Sequence, residues 1–248
     1  MESIQKLSHY IEDWLTKYIK KSKMKGFVVG VSGGIDSAVT STICARTGYP
    51  TLCLEMGIHQ NVSQISKARK HIQWLEENFK NVSHQYLSLT KLFDEFCYTL
   101  PKGIDGNKKN LALANSRARL RMTTLYQVAA ANKGIVVGTG NKVEDFGVGF
   151  YTKYGDGGVD ISPIADCNKS EVWELGKELG ILKEIIDAPP TDGLWDDGRT
   201  DEGQLGLSYK ELEEAMVNEN STNREKYNLI RKANLHKMEP IPVCKIPN

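Results

Sequence analysis

The run GFVVGVSGGIDS, from Gly26 to Ser37, constrains this chain more than any other feature. Gly26 to Val31 is short, apolar and valine-rich, the pattern of a strand buried on both faces of a parallel sheet. Ser37 to Arg46 reads as a helix closed by Gly48. Strand, glycine turn and helix in that order place the turn at the carboxyl end of a strand, where open α/β sheets take their ligands. Gly33 and Gly34 let the backbone turn tightly and approach an anion closely. Ser32 and Ser37 add hydroxyls, and the helix aims its first amides and the positive end of its dipole at the same place. A bare glycine pair would be an ordinary turn, but S-G-G-x-D-S in this setting is a phosphate cradle. It is not a Walker loop, because no lysine precedes Ser37, and G-x-G-x-x-G is absent as well. Asp36 instead lies beside the phosphates, an arrangement that requires an intervening cation and so implies Mg²⁺.

The rest of the chain alternates in the same way. Ile4, Leu7, Ile11, Leu15 and Ile19 recur at helical spacing. Strands are expected at Pro50–Met56, Val82–Leu89 and Ile135–Thr139, and helices through Ile65–Leu75 and Leu111–Ala131. The fold class is therefore α/β, a doubly wound, mostly parallel sheet flanked by helices. After Thr139 come a Gly/Asp loop from Tyr154 to Pro163, a helix from Ser170 to Gly180 and a long loop from Ala188 to Gly206. Loops of that length are usually functional. Ser208 with Glu211 is a capping box for a further helix, and a last helix spans about Asn223–His236. No repeat or linker divides residues 1–248, so one domain is expected.

With 40% hydrophobic and 25% charged residues among 248, the chain can bury a sizeable core. A net charge of +1 argues against nucleic acid or an anionic membrane as bulk electrostatic partners. No apolar run approaches the roughly 18 residues of a spanning helix, and residues 1–20 lack a signal-peptide pattern. Five scattered cysteines without C-x-x-C fit a reducing compartment, so a cytoplasmic location is expected.

The loop S-G-G-x-D-S resembles the pyrophosphate-binding loop of the N-type ATP pyrophosphatases. These enzymes cleave ATP to AMP and pyrophosphate by adenylating an oxygen of the substrate. Later segments single out the ammonia-dependent NAD synthetases. N-S-R-A-R-L-R-M (115–122) resembles their N-x-K-A-R-x-R-M helix, and G-T-G-N-K-V-E (138–144) their G-T-x-x-x-x-E segment. F-Y-T-K-Y-G-D-G-G-V-D-I-S-P (150–163) resembles their F-x-T-K-[YF]-G-D-G-x-x-D-I-x-P block. Asn168-Lys169, A-P-P-T-D-G-L-W (188–195), T-D-E (200–202) and His236-Lys237 follow in the family's order. The match runs from about residue 26 to residue 237.

The resemblance implies the adenine nucleotide alpha hydrolase-like fold and residue roles within it. Gly30, Val31, Ser32, Gly33, Gly34, Ile35, Asp36 and Ser37 would hold the ATP phosphates, with Thr139, Lys169 and Thr191 as further ATP contacts. Asp36 and Glu144 would bind Mg²⁺, and Asp36 and Lys169 would carry the catalysis. Lys169 suits the negative charge that develops on a departing pyrophosphate. Arg119, Lys153, Asp160, His236 and Lys237 match positions that bind deamido-NAD. The implied reaction is attack of the nicotinate carboxylate on the α-phosphorus of ATP, then attack of ammonia on the acyl-adenylate, giving NAD, AMP and pyrophosphate. Glutamine-using members carry an amidase domain before the synthetase domain. Only about 25 residues precede the first strand here, so free ammonia is the expected donor. The family implies a homodimer.

Taken singly, these residues have plainer explanations. Arg119 lies among Arg117 and Arg121 on what could be a solvated helix face, Glu144 could be a helix-terminus charge, and Asp160 could cap a turn. Trp74 and Trp173 read as packing residues. Two departures stand out. Residues 57–64, on the adenine side, do not align residue by residue, and Glu144 and Lys153 lie nine apart where some members have eight. Two other readings remain at this level: a superfamily ligase that adenylates a different acceptor, such as a tRNA-modifying enzyme, and a non-catalytic nucleotide-binding regulator.

Overall fold

Four parallel strands form the sheet, in the order β3-β2-β1-β4: β1 (Gly26–Gly30), β2 (Thr51–Gly57), β3 (Val82–Ser88) and β4 (Gly134–Val137). The computed structural model describes residues 3–60, 62–101, 106–191, 193–194 and 199–246. The chain winds outward from β1 through β2 to β3, then returns to place β4 on the other side of β1. The order therefore reverses between β1 and β4, and the carboxyl ends of those two strands form the crevice in which such sheets bind ligands. Val137 pairs beyond β4 with Ile161 in a single parallel bridge.

Alternation along the strands divides the core. Phe27, Val29, Ile135 and Val137 face α1 (Ile4–Ser22), α2 (Ile35–Arg46), α6 (Lys169–Glu178) and α7 (Lys183–Ile186). Ile11, Leu15 and Ile19 form the buried stripe of α1, as their spacing predicts. Ala68, Ile72 and Leu75 of α3 (Val62–Asn78) pack on Cys53 of β2. Val28, Leu54 and Val136 point to the opposite face, toward α4 (Thr90–Thr99) and α5 (Asn107–Asn132). The doubly wound α/β architecture expected from the sequence is thus present. β3 buries little of its surface, consistent with its place at the sheet edge.

The differences are local. α4 was not anticipated, because its ten residues carry only a brief apolar stripe, in which Phe93 alone is buried. The Ala188–Gly206 stretch contains a short helix, α8 (Asp201–Leu205), started by the Thr200 hydroxyl. α9 (Tyr209–Val217) begins at the Ser208–Glu211 capping box, and α10 (Arg224–Met238) completes the chain's helices. α8, α9 and α10 enclose a separate apolar cluster with Val143 and Val148.

Val143 and Val148 belong to a π-helical turn, Val143–Val148, in which the Gly149 N–H donates to the Glu144 carbonyl five residues back. A wide turn is how a helical segment absorbs one extra residue, and such turns gather at functional sites. This turn lies between Glu144 and Lys153, which are nine residues apart.

Candidate active site

The cradle is built in advance. The Ser37 hydroxyl accepts from Ser32 N–H (3.2 Å) and donates to the Gly34 carbonyl (3.0 Å), while Gly34 N–H donates to the Ser32 hydroxyl (3.2 Å). Gly33 has φ +86°, a conformation that glycine adopts without strain. Gly34 caps α2 without a side-chain acceptor, which leaves the first-turn amides directed at an incoming anion.

Asp36 opens α2 after β1, Glu144 lies beyond β4, and Lys169 is the first residue of α6. Because β1 and β4 are neighbours, the carboxylates converge. Lys169 Nζ bridges them, 2.5 Å from Asp36 Oδ2 and 3.1 Å from Glu144 Oε1, with its side chain only 1% exposed. Burial alone would lower the Lys169 pKa, but the Asp36 and Glu144 charges reverse that and raise it. Asn141 Nδ2 donates to Asp36 Oδ1 (2.9 Å) and fixes the other carboxylate oxygen. The Tyr209 hydroxyl donates to Glu144 Oε1 (2.5 Å) and lies 3.2 Å from Asp201 Oδ2. Burial first, then the Glu144 and Asp201 charges, drive the phenol pKa far above its usual value, so Tyr209 keeps its proton. Asp145 is pushed up to about 8 by burial, then by Glu144, Asp156 and Asp36.

The donor set fits Mg²⁺. A cation already occupies the space between two carboxylates here, namely the Lys169 ammonium. Mg²⁺ is typically held by one or two carboxylates together with substrate phosphates, and Asp36 borders the cradle that would supply those phosphates. Asp36 and Glu144 would hold the ion. When bound it would neutralise phosphate charge.

A cavity at the carboxyl ends of β1, β2 and β4 is lined by residues 30–37, Thr139, Glu144 and Thr191, so the ATP residues expected from the sequence converge on one space. Lys169, the other expected ATP contact, is not among the lining residues; it is buried against Asp36 and Glu144, which are. Asp192 and Trp195 of the A-P-P-T-D-G-L-W segment lie outside the described residues. Arg119, Lys153, Asp160, His236 and Lys237 are not among the lining residues. They form the flank behind it. Arg119 donates to the Lys153 carbonyl (3.3 Å), Lys153 Nζ to the His236 carbonyl (2.7 Å), and Lys237 Nζ to the Gly149 and Tyr151 carbonyls (2.8 Å each). Burial lowers the Lys237 pKa. The Asp160 carboxylate accepts from Tyr126 OH and Val136 N–H, which fastens its loop to β4.

Arg119 is exposed, but its neighbours Arg117 and Arg121 on α5 are half-buried. Arg117 donates to the Leu194 carbonyl (3.0 Å) and stacks over Phe93 at 4.6 Å, while Arg121 donates to the Met56 carbonyl (3.0 Å). With Arg119 on the Lys153 carbonyl, alternate arginines of one helix bond to two loops and to the end of β2. Sequence reasoning also passed over Asn141 and Tyr209. The capping box marks the start of α9, but nothing local to Tyr209 signals a contact with Glu144 across 65 residues.

A family model described as NAD synthase matches residues 7–246. The chain belongs to the NAD synthase family. Among curated NAD synthases, the NH(3)-dependent NAD(+) synthetase of Mycoplasma genitalium is 37% identical, with 93% of this chain and 90% of that one covered. The protein of the same name from Carboxydothermus hydrogenoformans is also 37% identical, with 83% of this chain and 82% of that one covered. Among solved structures, NMN synthetase from Francisella tularensis superposes with a TM-score of 0.89 at 31% identity, over 99% of this chain and 100% of that one.

Proposed function

We propose that this chain catalyses ATP-dependent amidation of deamido-NAD by ammonia, giving NAD, AMP and pyrophosphate. The observation that carries the reading is the convergence of Asp36 and Glu144, bridged by the buried Lys169, beside a prebuilt phosphate cradle, in a chain of the NAD synthase family. The nicotinate carboxylate oxygen attacks the α-phosphorus. The bond from that phosphorus to the bridging oxygen breaks, and pyrophosphate departs with the electron pair. Gly30, Val31, Ser32, Gly33, Gly34, Ile35 and Ser37 orient the triphosphate, together with Thr139 and Thr191. The buried Lys169 ammonium meets the charge that accumulates on the leaving group. Ammonia then attacks the acyl carbon, AMP leaves and a proton is lost to water. Most of the acceleration comes from positioning and fixed charge.

Arg119, Lys153, Asp160, His236 and Lys237 shape and charge the flank that receives the acceptor, in part through the loops they hold. The named relatives favour free ammonia, being NH(3)-dependent synthetases that this chain matches over most of their length. The chain acts as one synthetase domain, and as a cytoplasmic homodimer. No described helix is long and apolar enough to cross a membrane. Analytical ultracentrifugation reads the oligomeric state.

A second reading changes only the acceptor. The Francisella protein is named an NMN synthetase, and this chain superposes on it nearly end to end. The acceptor would then be nicotinate mononucleotide, with the same carboxyl chemistry. ATP–pyrophosphate exchange without ammonia tests both readings at once. Exchange driven by deamido-NAD supports the first, exchange driven by the mononucleotide alone the second, and exchange with neither removes both.

A further inference from the structure

We infer that Tyr209 is a positioning residue for the metal–nucleotide site: its phenol fixes the Glu144 carboxylate with one oxygen tied back and the other left for the ion. This rests on the reading of Asp36 and Glu144 as the Mg²⁺ carboxylates. Both hydrogen bonds to the Glu144 side chain fall on Oε1, one from Tyr209 at 2.5 Å and one from Lys169 at 3.1 Å. Among the described residues no hydrogen bond falls on Oε2. A flexible glutamate on a π-helical turn is thereby held in one rotamer with a single oxygen available. Hydrogen-bond partners behind metal ligands set orientation in this way, and losing one typically costs about 10- to 100-fold in metal affinity.

The phenol itself is rigidly placed. Tyr209 is 1% exposed and begins α9, where Ser208 and Glu211 form a reciprocal cap. Its N–H donates to Glu202 Oε1 (2.9 Å), and its ring stands edge-on to Trp173 at 6.0 Å. The Lys169 ammonium lies 4.7 Å from the ring centroid, so the two groups that hold Glu144 also touch each other. The second oxygen near the hydroxyl, Asp201 Oδ2 at 3.2 Å, belongs to α8. Tyr209 therefore joins the cluster formed by α8, α9 and α10 to the carboxylate beyond β4.

The test is a titration of Mn²⁺, as probe for Mg²⁺, into the full chain saturated with the α,β-methylene analogue of ATP, whose α,β linkage is not cleaved. Free Mn²⁺ is read by electron paramagnetic resonance. Tyr209→Phe keeps the ring against Trp173 and Lys169 and removes only the donor. The expected result is Mn²⁺ affinity weakened about tenfold or more, with metal-free nucleotide binding unchanged. A role in folding alone would shift the melting temperature and leave the Mn²⁺ affinity as it was, and that result overturns the inference. Glu144→Gln separates the two levels. If it weakens Mn²⁺ binding and Tyr209→Phe does not, the positioning role fails. If Glu144→Gln also binds like the parent, the metal assignment itself fails. Should Tyr209→Phe not fold, Tyr209→Gln and Tyr209→Leu give the same comparison. The amide donor is expected to hold Mn²⁺ about tenfold more tightly than leucine, and equal affinities would overturn the proposal.

Discussion

Lys169 Nζ lies 2.5 Å from Asp36 Oδ2 and 3.1 Å from Glu144 Oε1, between the two carboxylates beside the phosphate cradle. An ammonium in that place keeps two nearby carboxylates from repelling each other before nucleotide arrives. The Lys169–Asp36 pair joins residues 133 positions apart, across the switch point of the sheet.

Lys169→Met tests this directly. Removing one partner of a buried ion pair leaves the other uncompensated, at a cost of about 3 kcal/mol or more. We expect that loss in chemical denaturation without divalent ions, and partial recovery when Mg²⁺ is added, larger than the recovery of the parent. Turnover should fall at least ~100-fold, the scale of losing one charge-stabilising group. A variant as stable as the parent in the absence of Mg²⁺ contradicts this account of Lys169.

Arg117→Ala should loosen the cavity's edge without touching the reacting atoms. It removes the hydrogen bond to the Leu194 carbonyl and the stack on Phe93. Together these stabilise by about 1–2 kcal/mol. The expected kinetic result is a several-fold rise in KM for ATP with a smaller change in kcat. An unchanged KM beside a normal melting temperature would argue against the clamp.

Much of this was legible in the sequence, and the reason is locality. The cradle is twelve contiguous residues whose strand, turn and helix signals reinforce one another. Ile11, Leu15 and Ile19 declare the inner face of α1 by spacing alone. The residues missed act at a distance. Tyr209 reads as an ordinary helix-start tyrosine until folding brings it to Glu144, and Asn141 reads as loop until it meets Asp36. Arg117 and Arg121 have the periodicity of a solvated face, and only their carbonyl partners, Leu194 and Met56 of β2, say otherwise. The π-helical turn at Val143–Val148 has no propensity signature in the sequence.

Gly33→Ala probes the cradle's backbone. At φ +86° an alanine is strained by roughly 1–2 kcal/mol. The strain is relieved by moving the loop amides away from the phosphates. We expect weaker binding of the ATP analogue in calorimetry and a melting temperature lowered by a few degrees. Parent-like affinity would mean that the loop conformation is not required for binding.

His71 gives the fold a pH dependence separate from the chemistry. Its ring is fully buried, 3.0 Å from the Ser41 hydroxyl and stacked on Trp74, and burial depresses its pKa to about 4. The folded state binds this proton less readily than the unfolded state, whose value is about 6.5. The contribution is therefore complete above pH ~6.5 and is lost as pH falls toward about 4, a total of roughly 3 kcal/mol. Denaturation curves at pH 7 and pH 4.5 should show this loss in the parent, and a smaller one in His71→Gln. Equal losses would place the acid sensitivity elsewhere.

Under the proposed function, Asp36, Glu144 and Lys169 serve acceptor-dependent cleavage of ATP to AMP and pyrophosphate. The most direct measurement is product analysis of the purified chain with Mg-ATP, deamido-NAD and ammonium, beside Asp36→Ala. We predict NAD, AMP and pyrophosphate in equal amounts, all lost in the variant. ADP and orthophosphate as products, or pyrophosphate release that ignores the acceptor, would contradict it.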